Sequence, residues 1–244
     1  MEWLGSIPVP LIFLFGAVIG SFLNVVILRS IKGESLNGRS KCPGCQHTLA
    51  WYELVPVFSF LVQRGRCRSC GAGISLQYPI VELLSGIAAA LLFPNILAFL
   101  LFAVLLVLFV TDLHTFLLPD FFTVLLTAIV LYSGSVSYGG MLIGTGFMLF
   151  LWAVTSGRGI GFGDVKLMIP LGLFFGVEGV VALLAGAFIT GGLVGTYLLV
   201  TGKASRKTAI PFGPYLTGFA MLFLVYPAII EMFWSFLALD AFLY

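Results

Sequence analysis

Apolar residues run through this chain in long blocks separated by short clusters of Gly, Pro and charge, with little regular alternation between polar and apolar positions. Such blocks predict membrane-spanning helices, because a helix crossing the hydrocarbon core needs about 20 apolar residues. Divided at their Gly, Pro and charged positions, the blocks predict spans near 8–29, 75–93, 95–112, 119–134, 138–156, 164–176, 178–200 and 212–238. The expected fold is therefore an all-α polytopic membrane protein with about eight transmembrane helices. The sixth block is short and the turn at 176–178 tight, so 164–200 also reads as one broken or re-entrant element beside a cavity. Residues 1–10 carry no basic stretch, and the first block ends at Arg29 without a small-residue cleavage site. That block reads as a retained span rather than a signal peptide.

Three segments follow from this pattern: a first transmembrane helix in 1–30, a polar loop domain in 31–74, and a membrane-embedded core in 75–244. Composition agrees. The chain has 244 residues, 60% of them hydrophobic and only 9% charged, whereas a soluble domain carries roughly 25% charged residues. A water-soluble globule is excluded, membrane lipid is the surrounding medium, and a net charge of +2 does not point to nucleic acid as a partner.

The placement of charge orients the chain. Between Arg68 and Arg158 there is no Lys or Arg, and the only charges in that stretch are Glu82, Asp112 and Asp120. With eight spans and an outside N-terminus, all 12 basic residues fall on one side, which the positive-inside rule makes cytoplasmic. They are Arg29, Lys32, Arg39, Lys41, Arg64, Arg66 and Arg68 around the first loop, Arg158 and Lys166 near 157–163, and Lys203, Arg206 and Lys207 in the last loop. The outer side, with both termini, then carries Glu2, Glu178 and Asp240 and no basic residue.

All four cysteines lie in the polar loop, as Cys42-Pro-Gly-Cys45 and Cys67-Arg-Ser-Cys70, with 21 residues between the two pairs. That spacing is close to a four-cysteine zinc site, in which two tight turns each aim a pair of thiolates at one tetrahedral ion. Gly44 and Gly71 are expected to let the backbone close around the metal. Disulfides are the alternative, but they rarely persist in the reducing compartment where the orientation puts this loop; a redox pair is a third reading. A structural Zn2+ would hold together a segment too small for a self-sufficient core. His47 is a surplus fifth candidate that reads as a surface residue. Trp51, Tyr52 and Phe58 are expected to pack the small domain or to dip into the membrane interface.

Acids in apolar runs are expensive and need a reason. Asp112 ends the third block, His114 follows, and Leu118-Pro119-Asp120 opens the fourth; Asp164 sits in Gly161-Phe162-Gly163-Asp164-Val165-Lys166 at the entrance of the sixth. The topology puts Asp112 and Asp164 at the same cytoplasmic boundary, a co-location that would allow a catalytic pair. Two carboxylates sharing a site cannot both ionise cheaply, so one keeps a proton while the other acts as base toward water. That is the requirement for acid/base hydrolysis of a peptide bond. Gly161 and Gly163 would let an extended substrate backbone approach. Asp120 reads as a helix-start residue and Asp164 serves equally as a cap, but Asp112 opposes the dipole at a helix C-terminus and has no comfortable structural role. Lys166 either holds the charge state of Asp164 or snorkels to the surface. Glu82, two turns into the second span, reads as buried for a purpose.

These blocks resemble the bifunctional type IV prepilin peptidases, membrane aspartic proteases of the GxGD type that combine leader peptidase with N-methyltransferase activity. The resemblance rests on Gly20-Ser-Phe-Leu-Asn24-Val-Val, the two cysteine pairs with Leu49-Ala-Trp51-Tyr-Glu53, and Tyr78-Pro-Ile-Val-Glu82. It continues through Asp112 with Leu118-Pro-Asp120, Gly161-Phe-Gly-Asp164-Val-Lys166 and Pro211-Phe-Gly-Pro214-Tyr215. It implies that Asp112 and Asp164 are catalytic and that Asp120 supports them. It further implies that prepilins and pseudopilins are cut on the cytoplasmic face of the bacterial inner membrane, and that the new N-terminus is methylated from S-adenosylmethionine. The methyl transfer is associated with the cysteine-bearing loop. No glycine-rich nucleotide fingerprint is present, so that cofactor rests on the resemblance; Glu82, Asn24 and Glu53 are the polar candidates near the loop for methyl transfer. Two readings compete: an ion-coupled transporter using intramembrane carboxylates, and a non-catalytic zinc-binding membrane scaffold.

Overall fold

The structure, a computed structural model, describes residues 7–134, 136–157, 159–203, 205, 208 and 210–236. Glu2, Arg158, Arg206, Lys207 and Asp240, used above to orient the chain, lie outside the described residues, as do residues 1–6 of the N-terminal stretch. Among the described residues the regular structure is helical, with two isolated antiparallel bridges, Lys41 with Thr48 and Arg66 with Gly73. The chain divides into two compact units, residues 1–103 and 104–244.

In the first unit, helix α1 (Val9–Lys32) carries Arg29 and Lys32 in its last turn and closes on Gly33, whose φ of 65° is the left-handed cap that glycine adopts freely. Helix α3 (Gln77–Leu92) lies along α1 at backbone contact. A side chain on Gly16 would start 2.7 Å from the Ser85 carbonyl, and one on Gly20 would start 2.8 Å from Cα of Glu82. Small residues permit this approach in the way membrane helices pair, without a hydrophobic driving force between them. Ser85 Oγ donates to the Gly16 carbonyl at 2.7 Å across the contact. Between α1 and α3 lie the cysteine-bearing segment, a short helical turn Trp51–Leu54 and helix α2 (Phe58–Val62).

Helix α4 (Ile96–Thr115) is apolar around its whole circumference until Thr111 and Asp112 and is buried along most of its length, as an all-apolar helix must be. The second unit continues with α5 (Asp120–Tyr132), α6 (Tyr138–Val154), α7 (Phe162–Val200), α8 (Gly213–Val225) and α9 (Ala228–Phe236). Helix α7 is interrupted at Gly176, whose φ of 70° and ψ of −171° stop helical propagation, so its two halves correspond to the sixth and seventh sequence blocks. Gly140 of α6 and Gly172 of α7 meet without room for a Cβ; one on Gly172 would start 2.6 Å from Cα of Met141.

The last block, expected to span over 212–238, is not one continuous helix. It forms two helices bent by 109°. Pro227 lacks an N–H and displaces the residue before it from helical geometry, and Tyr226 accordingly sits at φ −137° and ψ 77°. Among the described residues three helices, α1, α4 and α7, are long and apolar enough to cross a membrane, or four if the bent α8–α9 pair is counted as one span. Helices α3, α5 and α6 are apolar but shorter, at 16, 13 and 17 residues.

Candidate active site and metal centre

Within the second unit, two acids from distant parts of the chain meet. Asp112, in the last turn of α4, is 4% exposed, and Asp164, in the first turn of α7, is 6% exposed. Both face Gly213, the first residue of α8. A Cβ built there would lie 2.5 Å from Asp112 Oδ2 and 3.2 Å from Asp164 Oδ1. Two carboxylates are thus gathered around one point that only a glycine leaves open.

Local structure aims each of them. Asp164 closes a cap at the start of α7: the Gly161 N–H donates to Asp164 Oδ2 at 3.2 Å, while the Asp164 N–H donates to the Gly161 carbonyl at 3.1 Å. Asp112 accepts from the Gly213 N–H. It opposes the dipole of its own helix but stands at the positive end of α8. The structural support that α4 cannot provide comes from a helix a hundred residues further along.

Around the pair, Leu118 packs on Gly163, where a Cβ would start 3.3 Å from the Leu118 Cβ. The Leu-Pro-Asp loop therefore lies against the glycine-rich start of α7. Asp120 and Lys166 form an ion pair, and Lys166 Nζ also sits 5.6 Å from the centre of the Phe162 ring. The contact links the first turn of α5 to the start of α7. Both side chains are exposed enough for solvent to screen the pair, so it orients more than it stabilises. His114 is exposed at the end of α4.

Gly213 did not emerge from the sequence as a site residue. Its signal was a Gly-Pro step opening a helix, and nothing local marks its N–H as facing an acid a hundred residues earlier. Gly213 has no left-handed φ, so replacement by alanine acts through space alone. Gly213→Ala is expected to push Asp112 aside and lower turnover about 100-fold, the scale of an ångström-sized misplacement, with the thermal midpoint nearly unchanged. A steady-state assay beside a melting curve checks it.

In the first unit the four cysteine sulfurs lie within 4.8 Å of one another. Cys42 Sγ and Cys70 Sγ are 3.8 Å apart, close to the edge of a tetrahedron with zinc–sulfur bonds of about 2.3 Å. A disulfide would need about 2.05 Å. The two knuckles share one backbone plan: Cys42 N–H donates to the His47 carbonyl and Gln46 N–H to the Cys42 carbonyl, as Cys67 N–H does to Ala72 and Gly71 N–H to Cys67. The left-handed residue that turns each knuckle follows its second cysteine, Gln46 at φ 60° and Gly71 at φ 74°. Gly44 therefore does not supply the turn. It allows the knuckles to approach, since a Cβ there would start 3.1 Å from that of Ala72.

The N–H groups of Cys45 and Gly44 hold the Cys42 thiol down, to about 7. Cys70 accepts from the Ala72 N–H, which lowers it, yet the crowding by Cys45, burial, and the proximity of Cys67 and Cys42 push it up to about 12. Four sulfurs at this spacing could hold one metal ion, and the donor set fits zinc, whose binding would deprotonate them. Trp51, Tyr52 and Phe58 are exposed, and Arg68 lies over the Tyr52 ring at 5.3 Å.

The candidates for methyl transfer are also in this unit. Asn24, fully buried, donates to the Tyr78 carbonyl at 3.2 Å and accepts from Gln77 at 3.3 Å, which ties α1 to the start of α3. Glu53 accepts from the Ala50 N–H at 2.9 Å. Glu82 accepts from the Val57 N–H at 2.7 Å and from Ser21. Val57 is β-branched yet held at φ 62°, a conformation such residues rarely adopt.

Two family models match the chain: the bacterial Peptidase A24 N-terminal domain over residues 14–96, and the type IV leader peptidase family over residues 99–196. Proteins named prepilin leader peptidase/N-methyltransferase are among its relatives. The one from Bacillus subtilis (strain 168) is 32% identical across 94% of this chain and 98% of its own length. That of Myxococcus xanthus is 37% identical across 84% and 68%, and that of Aeromonas hydrophila 36% across 84% and 86%. No solved structure matches.

Proposed function

The chain belongs to the type IV leader peptidase family, and from that membership we propose that it cleaves the leader peptide of prepilins and methylates the new N-terminus. The observation that carries the peptidase half is the meeting of Asp112 and Asp164 at Gly213. In the proposed reaction one carboxylate takes a proton from a water as that water attacks the scissile carbonyl. The other, protonated, supplies a proton to the leaving amide nitrogen. The two then exchange roles, so the pair returns to its starting state after each cleavage. Asp120 and Lys166 position the elements that carry these acids, and Gly161 and Gly163 leave room for an extended peptide beside Asp164.

Cys42, Cys45, Cys67 and Cys70 would hold a zinc ion, which supplies a structural cross-link to a segment with little apolar core of its own. S-adenosylmethionine would supply the methyl group, in work associated with the 31–74 segment and the nearby Asn24 and Glu82, while the peptidase acids lie in the 75–244 core. Eight crossings would comprise α1, α3, α4, α5, α6, the two halves of α7, and the α8–α9 pair. The proposed orientation puts the termini outside and both sites on the cytoplasmic face of the inner membrane. It is supported by Arg29 and Lys32 ending α1, the basic residues of 39–68, and Lys166 beside Asp164.

A transporter is not favoured, because the names of the relatives are those of enzymes and both acids lie at helix ends rather than mid-helix. A zinc scaffold leaves the aspartate pair unused. The test is the mass of a prepilin before and after incubation with the enzyme and S-adenosylmethionine. Loss of the leader and a gain of one methyl group are expected; an unchanged mass rejects the reading.

A further inference from the structure

The first unit contains a partly open cavity of about 360 Å³ formed by α1, the cysteine segment and the start of α3. This is at the lower end of the roughly 300–1,000 Å³ range of small-molecule sites. Among its walls are Ser21 of α1, Cys42 and Cys67 of the two knuckles, and the acids Glu53 and Glu82. Four basic residues also line it; Lys32, Arg39 and Lys41 are exposed, and the guanidinium groups of Arg29 and Arg39 donate to backbone carbonyls of the 35–49 stretch. Glu53 is 8% exposed and Glu82 6% exposed. Carboxylates buried this deeply are normally matched by a cation. Among the described residues no Lys or Arg forms an ion pair with either; the one ionic neighbour is His47, 3.7 Å from Glu53 and charged only when protonated.

One oxygen of each acid is pinned by a backbone N–H, from Ala50 and Val57 respectively. The carboxylates are therefore held in place rather than free to swing into water. Val57 keeps its disfavoured backbone while donating to Glu82, and strain of this kind persists where surrounding structure overrides it, often at functional sites. Two buried, preorganised carboxylates without a Lys or Arg ion-pair partner, with basic groups at the exposed side of the same cavity, suit a small ligand that carries a positive centre beside a negative one.

We propose that this cavity is the methyl-donor site and that Glu53 and Glu82 recognise the positive charge of a sulfonium ligand. The proposal rests on the methyltransferase reading above and goes beyond it by assigning the site. In the transfer, the N-terminal ammonium of the cleaved pilin first loses a proton to solvent. Its nitrogen lone pair then forms the N–C bond while the S–C electron pair returns to sulfur, which leaves as a neutral thioether. The charge thus moves from sulfur to nitrogen. Carboxylates at the cavity wall hold the charged donor more strongly than the neutral product, which favours product release.

Calorimetric titration of the full-length protein in detergent tests this, with S-adenosylmethionine and its neutral thioether product, S-adenosylhomocysteine, as the two probes. Wild type is expected to bind both, the donor more tightly. Glu53→Gln and Glu82→Gln are each expected to weaken donor binding at least 10-fold and product binding by less than 3-fold, with bound zinc unchanged as a measure of folding. Gly73 also lines the cavity, and a Cβ there meets nothing within 4 Å. Gly73→Phe is expected to weaken both probes alike by filling space. Glutamine variants that bind the donor as wild type does, or that lose both probes equally, overturn the charge assignment. A Gly73→Phe protein that binds both normally overturns the cavity. Wild type that cleaves a prepilin but adds no methyl group defeats the methyltransferase reading itself, an outcome separate from the other two.

Discussion

Asp112→Asn and Asp164→Asn are each expected to reduce prepilin cleavage by roughly 100- to 10,000-fold, the usual weight of a positioned acid or base, while leaving a folded protein. Asparagine preserves the shape of the side chain and its carbonyl still accepts from Gly213 N–H or Gly161 N–H, so the local hydrogen bonds survive. The chemistry does not survive, because an amide neither takes a proton from water nor returns one to a leaving nitrogen. The two acids act as a unit, so the double variant should be scarcely slower than the worse single one; groups that work together lose rate once rather than twice. Initial rates with a purified prepilin in detergent, read beside melting curves, measure this. Cleavage at near wild-type rate by either single variant, or losses that multiply in the double, would remove the pair from the mechanism. By contrast, Asp120→Asn breaks an exposed ion pair that solvent already screens and should cost far less.

The second large effect is expected from the proposed zinc. Stripping zinc with a strong chelator, or replacing Cys42 and Cys67 by serine, should release the segment between Lys41 and Gly73 from its folded form. That segment is held by two one-bridge knuckles, and only a few of its side chains are buried, Cys42 and Cys67 among them. A four-cysteine zinc site contributes roughly 10–16 kcal/mol in small zinc-dependent folds, far more than two isolated bridges provide. Hydrogen exchange should rise sharply across 41–73 and stay near its starting level in α6 and α7, whose contact runs through Gly140 and Gly172. Methyl transfer should be lost with the segment, since Cys42 and Cys67 form part of the cavity wall. Metal analysis giving one zinc per chain, together with that exchange pattern, is the supporting result; unchanged exchange after full metal removal would show that the segment does not need the ion to fold.

Much of the architecture was legible along the chain because membrane helices announce themselves by composition. Blocks of apolar residues located the helices, and a tight turn at 176–178 marked the break that the structure has at Gly176. The block 212–238 reads as continuous because hydropathy averages over Pro227, whose effect is on backbone geometry, and the structure bends there into two helices. In the cysteine segment, spacing identified four ligands, but it pointed to Gly44 for a turn that Gln46 makes; a left-handed residue need not be glycine when hydrogen bonds on both sides hold it.

What the sequence determined by itself is the inventory: an apolar helical chain, four thiols in two pairs, and acids in positions where burial needs a purpose. These are local properties, carried by composition, period and spacing. Tertiary structure alone decided which groups meet. Asp112 acquires its partner and its favourable helix dipole from Asp164 and Gly213, and Glu82 receives the Val57 N–H, through contacts between residues far apart in the chain. No local pattern encodes such encounters, because they depend on how closely whole helices pack. That closeness is permitted here by glycines whose missing side chains matter only when a neighbour arrives.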